Sequence, residues 1–131
     1  TISLRSLLLK MKHNYINPKS GHYLGTEIDN KWWSRYRKNG FFARGNGEYW
    51  IANNCFYFRR YLTKSEIVIP LKEVQEIKTG KWHSGKWAGG ALVIKLLWVK
   101  NGLNLSSGFV VSKNLEETNV LIETIKKINN N

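Results

Sequence analysis

The chain has 131 residues, and its 21 lysines and arginines against 9 aspartates and glutamates give a formal charge of +12. This length accommodates one domain with one core, and no apolar run approaches the roughly 20 residues that a membrane-spanning helix needs. The single cysteine, Cys55, excludes an intramolecular disulfide, and the apolar run 7–9 is too short for a secretory signal core. The expected location is cytoplasmic, in solution or peripherally at a membrane.

The positive charge is concentrated in the first half of the chain. Residues 1–64 hold 12 basic and 3 acidic residues, a net charge of +9, whereas residues 65–131 hold 9 and 6, a net charge of +3. Such an excess favours an acidic partner, which can be an anionic membrane, an acidic protein or nucleic acid. A lysine-rich surface that serves only solubility is the alternative.

The N-terminal segment 1–39 is predicted to be an amphipathic helix followed by a basic and aromatic linker. Over residues 3–15 the apolar side chains recur at helical spacing. They are Leu4, Leu7, Leu8, Met11 and Tyr15. This helix either packs on its own or a neighbouring domain, or lies on a membrane surface. The linker carries a secondary basic patch, formed by Arg35, Arg37 and Lys38.

From residue 40 to residue 131 the pattern predicts a mainly β domain. Aromatic and β-branched runs lie at 41–44, 48–52, 55–60 and 66–71, and the first three are separated by the turns Gly45-Asn46-Gly47 and Asn53-Asn54. A short turn around Val74 and Ile77 leads into another strand. Period-two alternation then predicts strands over 92–99 and 103–111, joined by a turn at 100–102. The total is about seven strands.

The chain closes with a predicted helix over residues 114–128. Asn114 is the expected N-cap, and Glu117 completes a pair that resembles a capping box. Glutamates near the start and lysines near the end match the helix dipole. The apolar stripe consists of Leu115, Leu121, Ile122, Ile125 and Ile128. A helix with one such stripe is suited to closing the open end of an antiparallel sheet.

Residues 80–90 carry the most distinctive motif, two Gly-Lys-Trp triplets in a segment without an acidic residue. Lysine supplies positive charge, and tryptophan combines an apolar body with one N–H donor, which suits a boundary between oil and water. We expect at least one of Trp82 and Trp87 to be exposed, and Lys81 and Lys86 to point to solvent. The alternative is that both tryptophans fold back and plug one end of the sheet.

The succession of strands and the closing helix resemble the pleckstrin-homology-like superfamily, particularly its GRAM, bacterial/archaeal PH and GLUE branches. The resemblance covers about residues 40–128. It is carried by Tyr49-Trp50-Ile51, Phe56-Tyr57-Phe58, Ile67-Val68-Ile69-Pro70-Leu71, Val74, Ile77, the last two strands and the helix. It implies a bent, seven-stranded sandwich or open barrel that is capped by an α-helix, and it implies a binding role without catalysis.

One feature departs from phosphoinositide-binding PH domains, which usually carry several basic residues in the first hairpin loop. Here that loop is predicted to be Gly45-Asn46-Gly47 with only Arg44 beside it, so recognition of inositol phosphates by that route is not expected. Basic residues occur elsewhere instead. They are Arg59, Arg60 and Lys64 around the next hairpin, and Lys81 and Lys86 in the tryptophan loop.

No catalytic, metal or cofactor chemistry is predicted. The histidines and Cys55 lack the spacing of metal ligands, and Cys55 is expected to be an inert core thiol. No glycine-rich phosphate loop ends in Lys-Ser or Lys-Thr, and no pair of carboxylates indicates acid–base work.

The leading hypothesis is therefore a non-catalytic module that associates with anionic membrane surfaces. The expected ligand-binding residues are Lys81, Trp82, Lys86, Trp87, Arg59, Arg60, Lys64 and Arg44. The alternative is a GLUE-like adaptor that binds ubiquitin or a sorting complex through an aromatic patch or a sheet edge. Nucleic-acid binding through stacked tryptophans is a third option, but no recognisable motif supports it.

Overall fold

A computed structural model describes residues 15–38, 41 and 44–130. These residues form ten strands, a 3-10 helix at Leu71–Glu73 and an α-helix, α1, at Leu115–Asn129. The strands are β1 (Ile16–Ile28), β2 (Lys31–Arg35), β3 (Gly45–Ala52), β4 (Cys55–Arg60), β5 (Glu66–Pro70), β6 (Val74–Gly80), β7 (Trp82–His83), β8 (Lys86–Trp87), β9 (Val93–Lys100) and β10 (Leu103–Val110). The helix predicted over residues 3–15 lies outside the described residues, apart from Tyr15.

Eight strands form one antiparallel sheet in the order β5-β4-β3-β1-β10-β9-β6, with β2 also paired to β1. The sheet is open, with β5 and β6 at its two ends, and β1 lies at its centre between β3 and β10. The remaining strands, β7 and β8, pair only with each other and form a separate two-stranded ribbon.

The core lies on one face of this sheet and is closed by α1. Tyr23 and Phe58 pack their rings on Phe109 at centroid distances of 5.3 and 5.7 Å. Helix α1 adds Leu121, Ile125 and Ile128, all of which are buried. The prediction of a mainly β, PH-like fold closed by a C-terminal helix is therefore confirmed.

Local signals that the sequence carries are also found in the structure. The Asn114 side chain caps α1 by accepting the Glu116 N–H at 2.8 Å. The turns Asn53-Asn54 and Asn101-Gly102 have positive φ at both residues, as two-residue hairpin turns require. The prediction is wrong for one member of the apolar stripe, because Leu115 in the first turn of α1 is 62 % exposed.

The main sheet has more strands than predicted, because part of the expected linker is strand. Residues Ile16–Ile28 and Lys31–Arg35 form β1 and β2, so the linker interpretation is wrong for them. Strand β1 is paired along both edges, with β3 and with β10. These backbone hydrogen bonds support a strand whose glycines and polar residues give little intrinsic preference for β structure.

The predicted turn Gly45-Asn46-Gly47 is also wrong. These residues open β3, and Gly47 packs so closely on β4 that a β-carbon there would lie 2.1 Å from the Arg59 carbonyl oxygen. The first hairpin among the described residues is instead β1–β2, whose turn is Asp29-Asn30. Lys31 is the basic residue next to that turn.

Candidate functional site

The segment predicted as a tryptophan loop folds into the β7–β8 ribbon. Trp82 pairs with Trp87 across the ribbon, and the turn Ser84-Gly85 has φ values of 51° and 77°. Its base is closed by the Ala88 N–H, which donates to the Lys81 carbonyl at 2.9 Å. The segment is therefore ordered by its own pairing as well as by the contacts it makes with the sheet.

His83 anchors the ribbon on the outer face of the sheet. A β-carbon built on Gly108 would lie only 2.4 Å from its imidazole. Because neighbouring Phe109 points into the core and side chains alternate along a strand, this contact lies on the opposite face. The imidazole Nε2 lies 3.1 Å from the Gly25 carbonyl oxygen and 3.0 Å from that of Ser106. Both are acceptors, so Nε2 carries the hydrogen and donates it.

The imidazole of His83 is neutral at neutral pH because of where it is held. Burial lowers the pKa of His83, against the opposing effect of the Glu27 carboxylate, and Lys95 lowers this pKa further. The Glu27 Oε2 atom lies 3.9 Å from Nδ1, too far for a hydrogen bond. Among the described residues Nδ1 has no hydrogen-bond partner. His83 therefore acts as a structural hydrogen-bond donor through Nε2.

Charged side chains hold the backbone of Ser84 from both sides. Its N–H donates to Glu27 Oε2 at 2.8 Å, and its carbonyl accepts from Arg35 at 2.7 Å and from Arg44 at 2.9 Å. Burial, together with the like charges of Arg35 and Arg37, lowers the pKa of the Arg44 guanidinium, which stays protonated because arginine does not lose its charge in proteins. The structure thus brings Arg44 and Arg35, predicted in separate groups, to one carbonyl.

Four tryptophans are exposed around this ribbon. Trp82 and Trp87 are 59 % and 53 % exposed, and Trp32 and Trp33 of β2 are 59 % and 65 % exposed. The two pairs meet because Trp32 lies against the ribbon turn, where a β-carbon on Gly85 would be 3.2 Å from its ring. We call Trp32, Trp33, Trp82 and Trp87 the tryptophan surface. The expected exposure of the loop tryptophans is confirmed, and the alternative that they plug the sheet is wrong.

Sequence reasoning missed half of this surface. Trp32 and Trp33 lie within the segment that is predicted to be a linker, although a Trp-Trp pair flanked by Lys31 and Arg35 has the same basic and aromatic character as the ribbon. Their rings contact each other edge to face, with centroids 5.7 Å apart. Exposure of both indoles on a paired strand could not be read from that composition alone.

A shallow cavity of about 520 Å³, open to solvent, lies between β2 and the ribbon. Its lining includes Glu27, Trp32, Trp82, His83, Ser84 and Lys95. The cavity therefore combines indole side chains with one carboxylate and one ammonium group. Two buried polar atoms without a hydrogen-bond partner among the described residues, Nδ1 of His83 and the hydroxyl oxygen of Ser84, belong to residues that line it.

The other predicted site residues occupy several places. Lys86 and Lys81 are exposed on or beside the ribbon, and Lys81 Nζ donates to the Gly90 carbonyl at 3.0 Å. The Arg59 guanidinium lies 5.7 Å from the centre of the Trp50 ring on the neighbouring strand β3. The remaining predicted residues are all exposed. They are Arg60 at the end of β4, Lys64 in the following turn, and Arg37 and Lys38 after β2.

In the part of the chain that the structure describes, no group of three or more histidine, cysteine or acidic residues is placed to hold a metal ion. Helix α1, the α-helix of those residues, is neither long nor apolar enough to cross a membrane.

Comparison with known proteins identifies the family. A family model described as Bacterial PH domain-like matches residues 7–125, which include all ten strands and most of α1. Comparison with curated proteins gave no match. PH-like domains are in general non-catalytic binding modules, and no catalytic family is indicated. The resemblance to the PH-like superfamily is thereby confirmed, and the chain belongs to the bacterial PH domain-like family.

Proposed function

We propose that this PH-like module associates peripherally with anionic membranes through the tryptophan surface and the lysines beside it. The observation that carries the proposal is the meeting of four exposed indoles from β2 and from the ribbon on one surface. Indole side chains favour the interface between water and lipid, where the ring is in apolar surroundings and the N–H group is hydrated. Clustered exposed apolar side chains mark an interaction site more often than scattered ones.

Charge supports the same orientation toward a membrane. Lys86 and Lys81 are exposed next to the ribbon tryptophans, and the whole chain carries a formal charge of +12. Each basic residue close to an anionic membrane contributes about 1 kcal/mol. In the proposal Arg59, Arg60 and Lys64 add further phosphate contacts, whereas Arg35 and Arg44 mainly hold the ribbon in place.

Cosedimentation with vesicles of phosphatidylglycerol at low salt tests the proposal. The parent protein should bind, and a Lys81→Glu/Lys86→Glu variant should bind at least roughly thirty-fold more weakly, since two contacts of about 1 kcal/mol are lost. The matched control is Lys126→Glu/Lys127→Glu on α1, across the core from the ribbon. Both variants lower the formal charge from +12 to +8, so only position distinguishes them.

Because Lys81 also bonds the Gly90 carbonyl, the single variant Lys86→Glu separates loss of charge from loss of loop structure. Equal binding by the parent and both double variants would contradict the proposal. Salt-resistant binding to ubiquitin, without binding to vesicles, would support the GLUE-like adaptor instead. Binding to oligonucleotides in place of vesicles would support the nucleic-acid alternative.

A further inference from the structure

The cavity between β2 and the ribbon holds groups of both charges beside two indoles. Glu27 contributes a carboxylate, and only 12 % of its side chain is exposed. Lys95 of β9 contributes an ammonium group, and Trp32 and Trp82 contribute the aromatic part of the lining. The cavity is shallow and open to solvent, with a volume of about 520 Å³.

The Glu27 carboxylate is fixed in position before any ligand arrives. Its Oε2 atom accepts the Ser84 N–H at 2.8 Å, and Ser84 is held in turn by two arginines through its carbonyl. Trp32 rests against Gly85 of the same turn. One turn of the ribbon therefore positions both a carboxylate and an indole at the cavity, which lowers the cost of ordering them on binding.

The charges indicate which ligands fit. Tryptophan attracts cationic nitrogen, and a carboxylate nearby adds to that attraction. A ligand that is only a cation would meet Lys95 and a strongly basic protein, whereas a ligand that is only an anion would meet Glu27. A ligand that carries both charges a short distance apart satisfies both side chains.

We infer that this cavity binds a zwitterionic headgroup in which an ammonium group is joined to a phosphate, as in phosphocholine or phosphoethanolamine. The ammonium group lies by Trp32, Trp82 and Glu27, and the phosphate lies by Lys95. The inference rests on the proposed function in one respect, namely that a membrane lipid supplies the headgroup. A free headgroup would bind by the same contacts.

Calorimetric titration of the full chain with phosphocholine, choline and inorganic phosphate tests the site without vesicles. Phosphocholine should bind most tightly of the three. Trp32→Ala and Trp82→Ala should each weaken it by roughly three- to thirty-fold, the range expected for loss of one cation–π contact. Trp33→Ala is the informative comparison, because Trp33 belongs to the tryptophan surface and does not line the cavity. It should weaken vesicle binding and spare phosphocholine binding.

Charge variants separate the two halves of the ligand. Glu27→Gln keeps an acceptor for the Ser84 N–H and should weaken binding of choline more than binding of inorganic phosphate. Lys95→Met should lower the affinity for phosphocholine to that for choline. Amide NMR spectra of each variant should show that the fold is retained, so that any loss of binding can be assigned to the site.

Phosphocholine that binds no more tightly than choline, or equally to the parent and Trp32→Ala, would overturn the inference. Tighter binding of a trimethyllysine peptide than of phosphocholine would overturn it as well, since the cavity would then recognise protein. If phosphatidylglycerol vesicles bind and phosphocholine does not, this inference fails and the proposed function stands. If phosphocholine binds and vesicles of phosphatidylcholine or phosphatidylglycerol do not, the headgroup comes from solution and the membrane proposal fails.

Discussion

His83 packs directly on Gly108 at the outer face of the sheet, so closely that a side chain at position 108 would not fit. A β-carbon on Gly108 would be 2.4 Å from the imidazole. Gly108 pairs with Gly25 of β1, and the Gly25 carbonyl accepts a hydrogen bond from the same imidazole. Two glycines on adjacent strands thus provide the place where the ribbon rests.

Gly108→Ala should therefore displace the ribbon. We expect a loss of roughly 1–3 kcal/mol in the free energy of unfolding, as for overpacking elsewhere in protein interiors. Gly80→Ala is the matched control, because its β-carbon would meet only the end of the Lys95 side chain at 3.5 Å, an ordinary contact. Urea unfolding of both variants checks this. A Gly108→Ala variant as stable as Gly80→Ala would show that the ribbon is not held as described.

Stability should depend on pH through His83. Burial lowers the pKa of His83 in the folded protein, whereas the unfolded chain has the ordinary value of about 6.5. Below that pH the imidazole is protonated in the unfolded state and stays neutral in the folded state. The free energy of unfolding therefore falls as pH falls, by at most about 1.4 kcal/mol per pH unit. Above it, this contribution is fully present.

His83→Gln is the comparison for the pH effect, because it keeps an N–H donor and removes the titration. Urea unfolding at several pH values between about 7.5 and 5.5 should show a smaller fall for the variant than for the parent. Contributions of the other histidines cancel, since both proteins carry them. Parallel curves would mean that burial does not lower this pKa.

The closing helix should be needed for stability through its buried face alone. Ile125 is fully buried in the core, and Ile125→Ala should lower the free energy of unfolding by roughly 2–5 kcal/mol. Val120 on the same helix is 55 % exposed, and Val120→Ala should change stability by no more than about 0.5 kcal/mol. Chemical denaturation measures both. Similar losses for the two variants would contradict the packing described for α1.

Vesicle binding should have a salt-sensitive part and a salt-resistant part. Raising the ionic strength from about 0.1 to 1 M shortens the screening length from about 10 to 3 Å and should remove most of the lysine contribution. What remains should depend on the four indoles, so Trp82→Ala/Trp87→Ala, which removes two of them, should clearly weaken binding at high salt. Cosedimentation across a salt series checks this. Residual high-salt binding that is the same in the double variant would contradict insertion of the ribbon.

Elements with local signals were predictable from sequence. The alternation in β9 and β10, the Asn53-Asn54 turn and the Asn114 cap each depend on neighbouring residues only. Strand β1 has only one such signal, the Asp29-Asn30 turn that joins it to β2. Its other partners, β3 and β10, are distant in sequence, and Leu24 is an extra residue between the pairs Tyr23–Phe109 and Gly25–Gly108. A bulge of this kind breaks the period-two pattern from which strands are read.

The candidate site likewise has features that local sequence predicts and features that depend on distant residues. The Gly-Lys-Trp repeats indicated exposed tryptophans and lysines, because composition alone favours that surface. The burial of His83 between those repeats was not predictable, since it depends on Gly25, Ser106 and Gly108 from other strands. The presence of Trp32 at the ribbon turn likewise depends on the pairing of β2 with β1.

The anchoring of the ribbon also has a consequence for the order of folding. A two-stranded ribbon of this size is not stable alone, and its anchors on Glu27, Gly25 and Ser106 exist only after β1 and β10 have paired. The ribbon should therefore be among the last parts of the chain to form and among the first to open. An incompletely folded chain would lack the assembled tryptophan surface, so the proposed binding should require the completed fold.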